Sequence, residues 1–357
     1  MRIDLTGKTA LVTGSTQGIG AAIATGLVRA GARVGINGRG EGSVAAAIER
    51  MDDERIDAGR EAGEHLRYDL VAAPGDVSTD EGCEQVLRML PHVDILVNNL
   101  GIFGAKPPLE IEDDEWRRYF EVNVLAAVRL TRAYLPGMRE RGWGRIQYIA
   151  SDSAVVIPAE MIHYGMSKTA LLAVSRGFAK EAAGSGVTIN SVIAGPTHTG
   201  GVEDFVYQLV DRDLPWEEAQ REFMRLHRPQ SLLQRLIEPE EIANLVVYLS
   251  SPFASATTGG GRAGGRRLRG LDHSLTISVR LQLDEGAFRV AQVRGAQGGA
   301  PSRAVLGRGG HGGAVPLQAA GRRVHVVHLH DQHGPVAVAV REHVQPAPVE
   351  QDQSGLS

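Results

Sequence analysis

The sequence contains one cysteine, Cys83, among its 357 residues. A single thiol excludes an internal disulfide and a cysteine-based zinc site, and it fits a reducing compartment. Nor does any apolar run reach the ~18 residues that a membrane span needs. The opening stretch Met1-Arg2-Ile3-Asp4-Leu5-Thr6-Gly7-Lys8 lacks the apolar centre of a signal segment. Charge of one sign is not in excess either: 38 Lys+Arg stand against 42 Asp+Glu, a net −4. That balance argues against nucleic acid or an anionic membrane as the partner of the whole chain. These absences predict a soluble, cytoplasmic protein.

What is scarce is also unevenly spread. Residues 259–357 contain no Lys, Asn, Tyr, Trp, Met or Cys, yet hold 18 of the 44 glycines and 7 of the 12 histidines. They carry 12 Arg against 7 acids, whereas residues 1–258 carry 26 basic against 35 acidic side chains. Two kinds of sequence are joined. We expect one folded domain over residues 1–260 and a low-complexity Gly/Arg/His-rich extension over residues 261–357, too poor in apolar surface to offset the entropy of ordering.

The first part alternates strand-like and helix-like segments. Residues 8–13 form a short apolar run ending at glycines, residues 21–30 are helix formers closed by Gly31, and residues 32–37 read as a second strand. Further strands are expected at residues 94–97, 145–150 and 188–193, with helices over 114–135, 163–183 and 239–249. Residues 50–74 are polar. They are expected to hold the end of a surface helix, a long loop and a weak strand at Leu70-Val71-Ala72. Alternation of buried-type strands with helices specifies an α/β fold, a doubly wound parallel sheet of the Rossmann type in a single domain.

The turn after the first strand is Thr13-Gly14-Ser15-Thr16-Gln17-Gly18-Ile19-Gly20. Its glycines allow a tight turn and a close backbone approach, and the helix that follows offers unpaired N–H donors and a positive dipole end to a pyrophosphate. Between strand and helix this pattern points to a dinucleotide rather than to an ordinary glycine-rich turn. The second strand ends at Asn37-Gly38-Arg39, where an acid would favour NAD. Arg39 is placed instead to pair with a 2′-phosphate, so NADP(H) is favoured over NAD(H).

Tyr164 and Lys168 stand four residues apart, on one face if the segment is helical. A phenol titrates near ~10 in water, and a neighbouring ammonium would favour the phenolate and bring proton transfer into range. Ser151 lies 13 residues before Tyr164, just past a strand, where it could either orient a substrate oxygen or cap a loop.

Together these residues make the chain resemble the short-chain dehydrogenase/reductase family, over about residues 5–258. The matching features are Thr13 to Gly20, Asp76-Val77, Asn98-Asn99-Leu100-Gly101, Asn123, Ser151, Tyr164/Lys168 and Gly195-Pro196-Thr197-His198-Thr199. The resemblance implies reversible hydride transfer between nicotinamide and a carbonyl or secondary alcohol, as in a ketoreductase. Tyr164 is then the acid/base, Ser151 orients the substrate oxygen and Asn123 holds a water that relays protons to Lys168. For the cofactor it implies the loop residues Gly14, Ser15, Thr16, Gln17, Gly18, Ile19 and Gly20. It adds Asp76, Val77, Asn98 and Gly101 around the adenine, Lys168 at the nicotinamide ribose, and Pro196, Thr197 and Thr199 at the carboxamide. Leu100 departs from the family's usual alanine and Ala194 from its proline, but neither removes a group from the chemistry.

Substrate choice is expected in residues 200–228, a helical lid rich in apolar residues such as Phe205 and Phe223, which could instead simply pack the lid down. The substrate is a small-molecule carbonyl or alcohol; a 3-oxoacyl thioester, a sugar, a steroid-like ketone and a polyketide intermediate all stay open. The rival reading is a non-catalytic NADP-binding regulator with a basic tail. The intact set of Asn123, Ser151, Tyr164 and Lys168 argues against it. Members of the family add one more strand after the Thr-Thr-Gly run and commonly form dimers or tetramers. Here Gly259-Gly260 leads straight into Gly261-Arg262-Ala263-Gly264, which suggests a reading-frame change near Gly260 and makes the homo-oligomer doubtful. His325, His328, His330 and His333 are spaced as an adventitious metal binder rather than a built site.

Overall fold

A computed structural model describes residues 2–62, 68–229 and 231–263, together with the backbone of five strands beyond them. Side chains are described for residues 2–54, 68–229 and 231–260. The chain divides into two compact units, Met1–Leu271 and Asp272–Ser357.

The first unit is built on a seven-stranded parallel sheet. Its strands are β1 (Thr9–Val12), β2 (Arg33–Ile36), β3 (Asp69–Ala72), β4 (Ile95–Asn98), β5 (Gly144–Ser151), β6 (Val187–Ala194) and β7 (Gly261–Ala263). Their order is β3-β2-β1-β4-β5-β6-β7. The chain therefore winds outward in both directions from β1, and the switch between β1 and β4 opens a crevice at the carboxyl ends of the strands. Every residue of β4, β5 and β6 is buried, as a sheet covered on both faces requires.

Helices cover the two faces. They are α1 (Gly18–Arg29), α2 (Glu41–Ala62), α3 (Asp80–Met89), α4 (Asp113–Phe120), α5 (Ala126–Glu140), α6 (Ile162–Glu181), α7 (Val202–Val206), α8 (Trp216–His227) and α9 (Pro239–Ser250). On one face Ile23, Leu27 and Val246 pack against β1 and β2 side chains, and on the other Leu130, Met138 and Leu171 pack against Leu96 and Ile146.

Three differences from the sequence reading, and one agreement at β3, have physical causes. α2 runs through residue 62, so the polar stretch after residue 50 is mostly helix and not loop. β3 is real but sits at the sheet edge, pairing only with β2, so it needs fewer apolar residues than an inner strand. The helix expected at 114–135 is interrupted by a π-helical turn, Glu121–Leu125, which carries Asn123. Finally, α3 lies outside the helices expected from the sequence. It is short, but Thr79 caps it by accepting a 3.0 Å bond from the Gly82 N–H, and Cys83 and Val86 are buried.

The sheet ends on residues that the sequence reading assigned to the extension. Gly259, at φ +69°, donates its N–H to the Ile189 carbonyl at 2.8 Å, and Ser191 donates to the Gly260 carbonyl at 2.9 Å. β7 then pairs with β6 from Ser191 to Ile193. In the second unit, residues 290–293 pair antiparallel with 302–305, and 322–329 with both 315–319 and 337–342. The strand expected at 324–329 lies within the last of these central segments. The one expected at 275–281 lies outside the described residues, as do the side chains of the four histidines.

Candidate active site

The loop from β1 to α1 is shaped by contacts that leave no room for side chains. Gly14 and Gly18 adopt φ +61° and +57°. A Cβ on Gly20 would stand 2.4 Å from the Gly14 carbonyl oxygen and 2.6 Å from Asn99 Nδ2. Thr13 Oγ1 accepts the N–H groups of Asn99 and Leu100, each at 2.9 Å, and Asn99 Nδ2 donates to the carbonyls of Thr13 and Gly14 at 2.9 and 3.2 Å. The first βα turn is thus tied to the end of β4. Gly14, Thr16, Gln17, Gly18, Ile19 and Gly20 line a cleft of about 850 Å³. Ser15 does not: its hydroxyl is fully buried and accepts the Asn37 N–H at 2.9 Å.

At the end of β2, Asn37 is committed to the fold. Its amide nitrogen donates to the carbonyls of Ala73 and Gly75 at 2.8 and 3.1 Å, and its oxygen accepts from Gly14 N at 3.2 Å. Arg39 is exposed and lines the cleft, as does Asp76, whose Oδ1 accepts the Ser78 hydroxyl at 2.6 Å. Val77 faces the core instead. At the end of β4 the expected residue is also shifted. Asn98 turns inward, with Nδ2 donating to Thr131 Oγ1 at 3.3 Å, and its neighbour Asn99 lines the cleft with Leu100 and Gly101. The paired asparagines were visible in the sequence; strand alternation assigns the outward one to the turn.

β5 delivers Ser151 and α6 delivers Tyr164 and Lys168, and all three line the same cleft. Lys168 Nζ donates to the Ile149 carbonyl at 2.8 Å and sits 5.6 Å from the centre of the Tyr164 ring. Burial alone pushes the Lys168 ammonium down to about 8. Burial likewise pushes the Tyr164 phenol up to about 12, against the nearby Ser151 hydroxyl and the charge of Arg228, which both lower it. The sequence expectation that lysine holds the phenol low is therefore corrected: desolvation dominates, and it favours the protonated phenol. Asn123 is buried beside the cleft. Its Oδ1 accepts from Ile102 N at 2.8 Å, and its Nδ2 donates to the Ile102 carbonyl at 3.0 Å and to Ser167 Oγ at 2.9 Å. It bolts the loop after β4 to α6. A Cβ on Gly101 would meet both Lys168 Nζ, at 3.2 Å, and Asn123 Oδ1, at 3.4 Å.

The far wall comes from the end of β6 and the lid. Pro196, Thr197 and Thr199 line it, with Thr199 packed against Gly18, where a Cβ would stand 3.2 Å from its methyl. Phe205 of α7 and Phe223 of α8 both lie in the lid cluster and on the cleft, so the apolar lid residues serve both of the roles weighed from the sequence. Asp152, Ser153, Phe103 and Arg228 also line the cleft. None carried a sequence signal of function beyond its place in a loop or at a helix end. Among the described residues no group of His, Cys, Asp and Glu could hold a metal ion, and no helix is long and apolar enough to cross a membrane.

Residues 8–208 match the family model described as short chain dehydrogenase. An uncharacterised oxidoreductase, YvaG, of Bacillus subtilis (strain 168) is 46% identical over 271 residues, 75% of this chain and 99% of that protein. A D-beta-hydroxybutyrate dehydrogenase of Cupriavidus necator is 33% identical over 71% of this chain and 95% of that one. Among solved structures, L-sorbose reductase from Gluconobacter frateurii, complexed with NADPH and L-sorbose, superposes with a TM-score of 0.68 at 30% identity, covering 76% of this chain and 100% of that one.

Proposed function

The chain belongs to the short-chain dehydrogenase family, and within it we propose that it is an NADP(H)-dependent reductase that interconverts a ketone and a secondary alcohol. The observation that carries this reading is the convergence of Ser151, Tyr164 and Lys168 on one cleft with the glycine loop. The family binds a nicotinamide cofactor, and the residues present fit one. Gly14 and Gly18 at positive φ, and Gly20 packed against the Gly14 carbonyl and Asn99, let the turn bring the start of α1 to the cleft, where its unpaired N–H groups suit a pyrophosphate. Preference for the phosphorylated form rests on Arg39, with no acid beside it at the end of β2. When bound, the cofactor supplies or accepts the hydride.

The remaining work falls to the chain's own side chains. With substrate in the cleft, the Ser151 hydroxyl turns from Asp152 Oδ1 to donate to the substrate oxygen and fixes it beside Tyr164. The phenol, held protonated by burial, is a general acid and gives its proton to that oxygen as negative charge develops. Lys168, clamped to Ile149, places a positive charge beneath the phenol and steadies the phenolate that remains. Asn123 fixes the loop that closes over Lys168, and we assign the proton path between Lys168 and solvent to the space beside it.

NADPH and NADH oxidation followed across a panel of carbonyl compounds tests the reading. Turnover with NADPH at least tenfold faster than with NADH is expected. Absence of turnover with either cofactor would sink the reductase assignment, and a preference for NADH would sink the role of Arg39 alone.

A further inference from the structure

Arg228 follows the last residue of α8, where the lid turns back toward the body, and its side chain lines the cleft. The side chain is only 9% exposed. A guanidinium taken this far out of water requires both its charge and its N–H donors to be answered. They are answered on one side only. Nη1 donates to the His227 carbonyl at 2.7 Å and lies 3.5 Å from Glu160 Oε1, a long contact to a carboxylate that is itself 28% exposed. Nη2 meets the Met161 sulfur at 3.8 Å, a weak acceptor. Among the described residues Nε meets no acceptor. The group is held in place by stacking, with its carbon 5.1 Å from the centre of the Phe223 ring.

The two nitrogens without an oxygen partner, Nε and Nη2, are adjacent on one edge of the planar fork. That edge is the one a carboxylate fills with two parallel hydrogen bonds. The fork stands on the substrate side of the cleft, among Met161, Phe223 and the lid, away from the glycine loop. It is near enough to the catalytic phenol to act on its ionisation. At the Ser151 end of the cleft stands Asp152, whose Oδ1 accepts the Ser151 hydroxyl at 3.1 Å. Next to the reacting oxygen, Asp152 repels a second anionic group there, so an anionic substrate has one orientation: carbonyl at Ser151 and Tyr164, acid group at Arg228.

We propose that Arg228 is a specificity-determining residue that takes a carboxylate of the substrate, so that the substrates are oxo acids and the corresponding hydroxy acids rather than neutral ketones. This inference rests on the reductase reading above and narrows its substrate class. A merely structural Arg228 would tie the end of α8 to Glu160 and have no say in which carbonyl is reduced.

The test is steady-state reduction, by the full-length chain with NADPH, of short oxo acids each paired with its methyl ester. Acids should exceed their esters in kcat/KM by at least tenfold, through KM. Arg228→Gln should raise KM for the acids by roughly ten- to a hundredfold, the range for a hydrogen-bonded charge pair, and at least about tenfold more than it raises KM for the esters. Arg228→Lys should recover part of the loss. Esters turned over as well as acids by the unmodified chain would overturn the proposal while leaving the reductase reading intact. So would equal losses on acids and esters in Arg228→Gln, which with a lowered melting temperature would mark a structural tie. Oxo phosphates preferred over oxo acids would overturn the carboxylate assignment. Failure of every acid and every ester to oxidise NADPH would overturn the reductase reading and this proposal with it.

Discussion

Lys168 Nζ donates a 2.8 Å hydrogen bond to the carbonyl of Ile149, on the strand that carries Ser151. The ammonium is therefore anchored to β5, and α6 cannot slide along the sheet without breaking a buried charge-assisted bond. Its anchorage also fixes the height of Tyr164, one turn earlier on the same helix face.

From this follows the first prediction. Tyr164→Phe removes the proton donor but keeps the ring between Phe103 and the cleft wall, 6.4 Å from the Phe103 centre. Turnover should fall by at least about a hundredfold, the contribution expected of a positioned general acid. NADPH binding, read by fluorescence titration, should change by less than about threefold. Normal turnover in this variant would remove Tyr164 from the mechanism.

The pH profile separates the two groups. With its pKa pushed up to about 12, the phenol stays protonated throughout the neutral range and places no limb there. Lys168, pushed down to about 8, loses its charge as the pH rises through that value. Carbonyl reduction should thus be flat on this account below about pH 7 and decline above about pH 8. A kcat/KM profile should show the decline in the unmodified chain and not in the residual activity of Lys168→Met. A decline of equal midpoint in both would assign it elsewhere.

Arg39 lines the cleft at the end of β2, and Asn37 is already fully bonded. Arg39→Ala should raise KM for NADPH by roughly ten- to a hundredfold, the loss of one charge-assisted contact to a phosphate, and leave KM for NADH within about threefold. Equal effects on both cofactors would show that Arg39 does not meet a 2′-phosphate.

The sheet and the candidate catalytic residues were legible because each announces itself locally. A buried parallel strand reads as a short apolar run, and the glycine loop and the Tyr164/Lys168 spacing are contiguous in the chain. Less legible were choices made by tertiary contacts. Whether Asn98 or Asn99 faces the cleft depends on where β4 ends, and Ser15 looks like a loop ligand until the Asn37 N–H claims its oxygen. The direction of the Tyr164 shift needed the burial that only the assembled cleft provides. Arg228 was hidden because its partners, Glu160, Met161 and Phe223, lie on two separate stretches of chain. The seventh strand was hidden by composition: Gly261–Ala263 has no apolar pattern, and it is fixed by Gly259, Gly260 and the edge of β6.

Two glycine substitutions contrast the cradle with an ordinary helix position. At Gly20 an added methyl would stand 2.4 Å from the Gly14 carbonyl oxygen and 2.6 Å from Asn99 Nδ2. The first obstacle is backbone, so Gly20→Ala must open the turn between β1 and α1. It should cost NADPH binding at least tenfold and lower the melting temperature. At Gly177, in the interior of α6, an added Cβ meets nothing within 4 Å. Gly177→Ala removes backbone freedom from the unfolded chain without a clash and should stabilise the protein by about 0.5–1 kcal/mol. NADPH titration and thermal unfolding of the two variants check both signs at once. Unchanged cofactor affinity in Gly20→Ala would mean that the loop does not close on the pyrophosphate as its packing against Asn99 indicates.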